Sequence, residues 1–240
     1  MSASRTIVAL TAVGLLAGPM QVSAWTVSVL NNGDFETPFS SPLATTFTSA
    51  MYGKWAVGDA AQTTASANGI APLGGSLMMD FLPVPVGNIS SDVYQVVDLT
   101  AYATQIDAGL VTADLSVYYN STYAASAGMS IWRYLSPPTS FGGAVKLAGT
   151  YDMFQMDSNK STWQQFGIDD VLLTAGTRYV IFGLNHPAPA AAAAYQTYAD
   201  NASLVLTIND VEPVPLPAAA WLLLSGLGGL SVLGRRRKAA

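Results

Sequence analysis

Ser130-Ile131-Trp132-Arg133-Tyr134-Leu135 is a six-residue run carrying a β-branched residue and two aromatic rings, followed at once by Ser136-Pro137-Pro138. Such a run suits a pleated, half-buried strand and is too short for a stable helix. Similar runs recur along the chain. They are Val93-Tyr94-Gln95-Val96-Val97, Leu115-Ser116-Val117-Tyr118-Tyr119, Tyr179-Val180-Ile181-Phe182 and Leu204-Val205-Leu206-Thr207-Ile208, bounded by Gly, Pro, Asn or Asp. Weaker runs lie at residues 54–57 and 76–81, and only residues 99–106 read as one or two helical turns. Many short strands with no amphipathic helix of normal length predict an all-β fold, a single sandwich or barrel. The Pro-Ala-rich residues 187–194 read as a loop.

The two ends read differently. Residues 1–24 carry one base, Arg5, an apolar run, a Pro19 breaker and then Val22-Ser23-Ala24, small where a signal peptidase cuts. This is the pattern of a secretory signal peptide cleaved after Ala24. At the other end, the Pro-rich residues 214–218 precede an apolar stretch at 218–234 and a basic end at 235–238. The stretch has the minimum length for a transmembrane helix, and the bases would hold its C-terminus in the cytoplasm. Residues 25–210 then form one folded domain, with 211–240 as a tail.

Composition narrows the chemistry. The 240 residues include no Cys and one His, with 10% charged residues and a formal net charge of −5. Disulfides, thiolate nucleophiles and thiolate zinc sites are excluded, as are multi-histidine metal sites. Setting the ends aside removes five of the ten bases (Arg5, Arg235, Arg236, Arg237, Lys238) and one of the 15 acids (Glu212), leaving the domain at −9. That is no surface for nucleic acid. A polar but sparsely charged surface suits an extracellular protein and neutral polymers such as polysaccharides.

The tail resembles the PEP-CTERM sorting signal of Gram-negative bacteria in its VPLPA form: Val214-Pro215-Leu216-Pro217-Ala218, a Leu- and Gly-rich helix, and the cluster Arg235-Arg236-Arg237. The resemblance implies processing by an exosortase in organisms that make exopolysaccharide. A plain membrane anchor is the alternative, and the two differ in whether the mature protein keeps residues 221–240. Within the domain, Asn32-Gly33-Asp34-Phe35-Glu36, Trp55, Tyr94-Gln95-Val96-Val97, Ala175-Gly176-Thr177-Arg178-Tyr179 and Tyr198-Ala199-Asp200-Asn201-Ala202-Ser203-Leu204 fall in the order seen in galactose-binding-like jelly rolls. The domain is similar to these, including many carbohydrate-binding modules, in which the first and last strands sit side by side. That likeness implies a structural calcium ion held by Glu36 and Asp200, with Asp34 nearby. The same acids equally serve as turn caps accepting backbone hydrogen bonds.

Sugar recognition needs aromatic faces flanked by amides and carboxylates. Trp132 and Tyr134, two residues apart, share one strand face, and Tyr118, Tyr119 and Tyr123 lie close in sequence. The same alternation describes two inward-facing core positions equally well. Trp55 and Trp163 match core anchors in the resembled fold. Catalysis has less support: His186 reads as a solvated loop residue without a nucleophile elbow. Asp169-Asp170 reads as a turn before Val171, and adjacent strand residues cannot jointly flank one glycosidic bond. Gly74-Gly75 and Gly142-Gly143 lack the residues of a phosphate loop. The expected function is non-enzymatic: a secreted surface or biofilm-matrix protein associated with exopolysaccharide, with weak carbohydrate binding. The alternatives are a purely structural or adhesive protein and, more remotely, an extracellular hydrolase.

Overall fold

The structure, a computed structural model, describes residues 22–39, 47–57, 61–83, 90–139, 145–187 and 196–211. The expected tail at 211–240 except its first residue, and all of the expected signal peptide except its last three residues, lie outside these. Among the described residues, no helix is long and apolar enough to cross a membrane. Residues Ala24–Asp210 form one compact unit, which carries the fold.

The elements in chain order are β1 (Val22–Ser28), β2 (Trp55–Val57), β3 (Ala61–Thr64), β4 (Met78–Phe81), β5 (Ser90–Asp98), α1 (Ala103–Asp107), β6 (Val111–Ser121), β7 (Ala125–Tyr134), β8 (Lys146–Met156), β9 (Gln164–Leu172), β10 (Tyr179–Pro187) and β11 (Thr197–Val211). They form two sheets. One runs β3-β4-β11-β6-β9 with β1 also paired to β11, and the other runs β2-β5-β10-β7-β8. Every pairing along these two paths is antiparallel. The first and last strands therefore lie side by side. Cleavage after Ala24 would leave Trp25 to Ser28 of β1.

Period-two alternation builds the core. Val111, Ala113, Leu115, Val117 and Tyr119 of β6 face Ala127, Met129 and Ile131 of β7 and Val180, Phe182 and Leu184 of β10 across the sandwich, all fully buried. Trp55 is buried there too and donates its indole N–H to the Asn32 carbonyl at 2.7 Å. In β11 the register slips between Asp200 and Ser203, with Asn201 at φ +47°, a conformation Asn tolerates better than most residues. The bulge keeps both Ala199 and Leu204 on the core side.

Three readings need correction. Asp169-Asp170 is not a turn ahead of a strand but part of β9. It forms a bulge opposite Asp114, with Asp170 at φ +56° and its N–H donated to Asp114 Oδ1 at 2.8 Å. His186 is no solvated loop residue: it sits in β10, 3% exposed, because the strand runs on to Pro187. Leu135 lies beyond the end of β7 and is exposed.

Candidate functional site

The outer face of the β2-β5-β10-β7-β8 sheet carries side chains opposite in phase to the core. Register aligns them in rows. Asp92, Asn185, Gly128 and Met153 form one row, and Tyr94, Gly183, Ser130 and Tyr151 the next. Val96, Ile181, Trp132 and Gly149 form the third, and Tyr134 with Lys146 lies in the fourth. Trp132 and Tyr134 therefore face away from the sandwich core.

Their surroundings differ. Phe47 and the 3-10 turn Ser49–Met51 fold over one end of this face, packing with Ala56, Val96, Ile181 and Tyr134 in a separate apolar cluster. The Phe47 N–H bonds to the Thr139 carbonyl at 2.7 Å, and the Gly53 N–H to the Val96 carbonyl at 2.8 Å. Tyr134 is consequently buried at 0% exposure, and burial drives its hydroxyl pKa up to about 12. It borders the site on the same outer face, under the Phe47 cover. Trp132 stays half-buried at the edge of that cover.

Beyond the cover, the face opens into a hollow of about 290 Å³ lined by Asp92, Tyr94, Ser130, Trp132, Lys146 and Asn185, with Tyr134, Tyr151 and Gly183 completing it. Small-molecule sites start near about 300 Å³, so the volume suits a short ligand or one end of a polymer. Three strand glycines make the hollow. A Cβ on Gly183 would come within 2.7 Å of Ser130 Oγ and 3.1 Å of Tyr94 Cδ1, filling the floor between those two side chains. A Cβ on Gly149 would collide with the Trp132 ring, and one on Gly128 with Asn185 Oδ1. Glycine inside a strand has this meaning: something must approach the backbone closely. Here the six-membered edge of the Trp132 indole lies over Gly149 and the Asn185 amide reaches over Gly128.

Lys146 holds its ammonium 4.0 Å from the centroid of the Trp132 ring, a cation–π contact. At the far corner, Ser90 Oγ donates to Asp92 Oδ2 at 2.6 Å. The hollow therefore has a cationic end and an anionic end, with an aromatic ring and uncharged hydrogen-bonding groups between. A second hollow, about 420 Å³, is bordered by Asn31, Asn32, Thr37, Phe39, Lys54 and Trp55. It is larger, but the indole of Trp55 belongs to the core, so it offers no comparable exposed platform.

Glu36 and Asp200 meet on the other sheet's side, around residues 73–77. Glu36 Oε1 accepts the N–H groups of Ser76 and Leu77, both at 2.8 Å. Asp200, fully buried, accepts from Leu73 at 2.8 Å and Gly74 at 3.4 Å through Oδ2, and from Asn201 at 2.7 Å through Oδ1. Burial raises the Asp200 pKa above the ordinary value, against the lowering pull of those N–H donors, and the Glu36 charge adds to the rise. Asp34 Oδ1 accepts the Glu36 N–H at 3.5 Å. Among the described residues, no group of three or more His, Asp or Glu side chains is arranged to hold a metal ion. The two carboxylates suit a cation by charge. One oxygen of each, Glu36 Oε1 and Asp200 Oδ2, clamps the 73–77 loop.

The remaining candidates do not join the aromatic hollow. Tyr119 is in the core, with its hydroxyl on the Gly128 carbonyl at 2.8 Å. Tyr123 shares a hydrogen bond of 2.9 Å with His186 Nε2, and burial lowers the histidine pKa. Trp163 packs in a satellite cluster with Ile70, Met78 and Tyr198, outside the main core, and donates to the Ala71 carbonyl at 3.1 Å. Sequence reasoning missed Tyr94, Ser130, Asn185 and Lys146 as site residues. The signal that could have found them is Gly128 and Gly183, two glycines beside strand-like runs, whereas Gly149 lies in β8, which carries no such run.

No family model matches the chain, and no curated protein matches it. Solved structures do. A putative sugar binding protein from Bacteroides thetaiotaomicron is similar over 74% of this chain and 99% of its own, at 9% identity and a TM-score of 0.49. TmCBM61, solved in complex with β-1,4-galactotriose, covers 74% of this chain and 97% of its own, at 14% identity and 0.46. A cyclase from Fischerella sp. TAU gives 76% and 98%, at 11% and 0.47. At these scores the likenesses carry no functional weight, and the reading of the site rests on its own residues.

Proposed function

We propose that the domain is a non-catalytic carbohydrate-binding sandwich and that the outer face of the β5-β10-β7-β8 sheet is its binding surface. One observation carries this reading: a half-buried Trp132 whose ring lies over Gly149, beside a hollow floored at Gly183, with Tyr94, Ser130, Asn185 and Asp92 around it. Pyranose rings stack their C–H faces on such indoles while amides, hydroxyls and carboxylates take the sugar hydroxyls. Retention of the protein on polysaccharide beads or a glycan array, lost in Trp132→Ala, supports the proposal. Binding unaffected by that change removes it.

Export and sorting belong to the same proposal. The signal-like residues 1–24 and the PEP-CTERM-like tail at 211–240 would send the domain to the cell surface or matrix through an exosortase, where exopolysaccharide is the available ligand. Intact-mass analysis of the mature protein tests this, since retention of the whole tail after export contradicts it. A structural calcium ion at Glu36 and Asp200 is the third part. A melting temperature unchanged by EDTA and by added calcium rules it out.

A further inference from the structure

The cation of the aromatic hollow has a consequence for ligand class. We propose that the site selects sugars bearing a carboxylate, uronic acids, over neutral sugars of the same ring and linkage, with Lys146 as the selecting residue; this rests on the carbohydrate reading of the hollow. The ammonium lies 4.0 Å from the centroid of the Trp132 ring, over the surface a pyranose would stack on. A neutral sugar must move it aside, losing the cation–π contact and offering the charge nothing comparable in return. A uronate moves it aside too but gives it a charge-assisted hydrogen bond, roughly twice as strong as a neutral one.

Orientation follows from the opposite corner. Asp92 is placed to repel a second carboxylate and to accept hydroxyl donors, so the acid group belongs at the Trp132 and Lys146 end. The other bases of the domain are engaged or placed elsewhere. Arg178 pairs with Asp107 at 2.6 Å, Arg133 is buried beneath the sheet on the Leu172 carbonyl, Lys160 reaches the Asn68 carbonyl, and Lys54 borders the other hollow. Lys146 is therefore the cation that a ligand in this hollow meets.

The test is isothermal titration, against the full domain, of a short neutral oligosaccharide ending in a single galacturonate and of the same oligosaccharide with that acid methyl-esterified, which keeps ring and linkage but removes the one charge. A parallel pair ending in a single glucuronate and its ester covers the other common ring configuration. Wild type is expected to prefer the acid by about tenfold. Lys146→Met, which keeps an apolar stem at an exposed position, is expected to abolish that preference and tighten binding of the ester a few fold. Equal or weaker binding of the acid in both pairs, with Trp132→Ala still abolishing binding, overturns the selection by Lys146 and leaves the site standing. Binding of either form that is indifferent to Trp132 overturns both.

Discussion

Asp80 should make the protein less stable at neutral pH than it needs to be, and Asp80→Asn should show by how much. Asp80 sits on β4 between Gln62 of β3 and Tyr198 of β11, 5% exposed, and its Oδ1 is buried with no hydrogen-bond partner. Burial raises its pKa from 3.8 to about 6, with a hydrogen bond from Gln62 pulling the other way. Because the folded value is the higher one, the carboxyl favours the folded state fully below the unfolded pKa and loses that advantage as pH rises through about 6. The shift of about two units corresponds to about 3 kcal/mol at pH 8, about half that near pH 5 and little by pH 3.5. An amide has the same shape, keeps a group for Gln62 and carries no charge to bury. Asp80→Asn is therefore expected to stabilise by about 2–3 kcal/mol at pH 8, or about 6–10 °C in Tm for a domain of this size, with the gain fading as pH falls. Urea denaturation of both proteins from pH 4 to 8 measures it. A gain independent of pH, or destabilisation at pH 8, would refute the reasoning.

Other perturbations follow from the same geometry. Gly183→Ala puts a methyl group on the floor of the hollow and should weaken glycan binding by at least about tenfold, with thermal melts showing the fold retained. Asp200→Ala leaves the N–H groups of Leu73 and Gly74 without their acceptor and should cost about 1–3 kcal/mol in denaturant unfolding. His186 works in the opposite pH sense to Asp80. Its folded pKa is lowered, so stability present above the unfolded histidine value near 6.5 is lost as pH falls below it. His186→Asn should remove that acid-side loss, read as a flatter stability profile between pH 5 and 7.

The sandwich was legible where a strand is buried on at least one face. Val93 to Val97, Leu115 to Tyr119 and Leu204 to Ile208 carry enough β-branched and aromatic side chains to be read directly, and each lies within β5, β6 or β11. Strand β8 and all of β9 before Val171 carry no readable pattern, because Lys146 to Met156 and Gln164 to Leu172 are mostly exposed and have few buried apolar residues to mark a period. His186 was misplaced for a related reason: Pro187 looks like a strand terminator, yet it is the last residue of β10, paired with Ser90 at the start of β5. The site was half legible. Spacing put Trp132 and Tyr134 on one face but could not say which. The phase of Ile131 and Met129, which face the core, decides it, and the cover from Phe47 and Met51 that buries Tyr134 is a long-range contact no local pattern encodes.

The central claim is that sugar binds the outer face of the β5-β10-β7-β8 sheet. Backbone and indole chemical-shift mapping with a retained oligosaccharide tests it most directly. The account predicts shifts concentrated at the Trp132 indole, Tyr94, Ser130, Gly183 and Asn185. Shifts concentrated instead at Asn31, Thr37 and Lys54, around the second hollow, would contradict it.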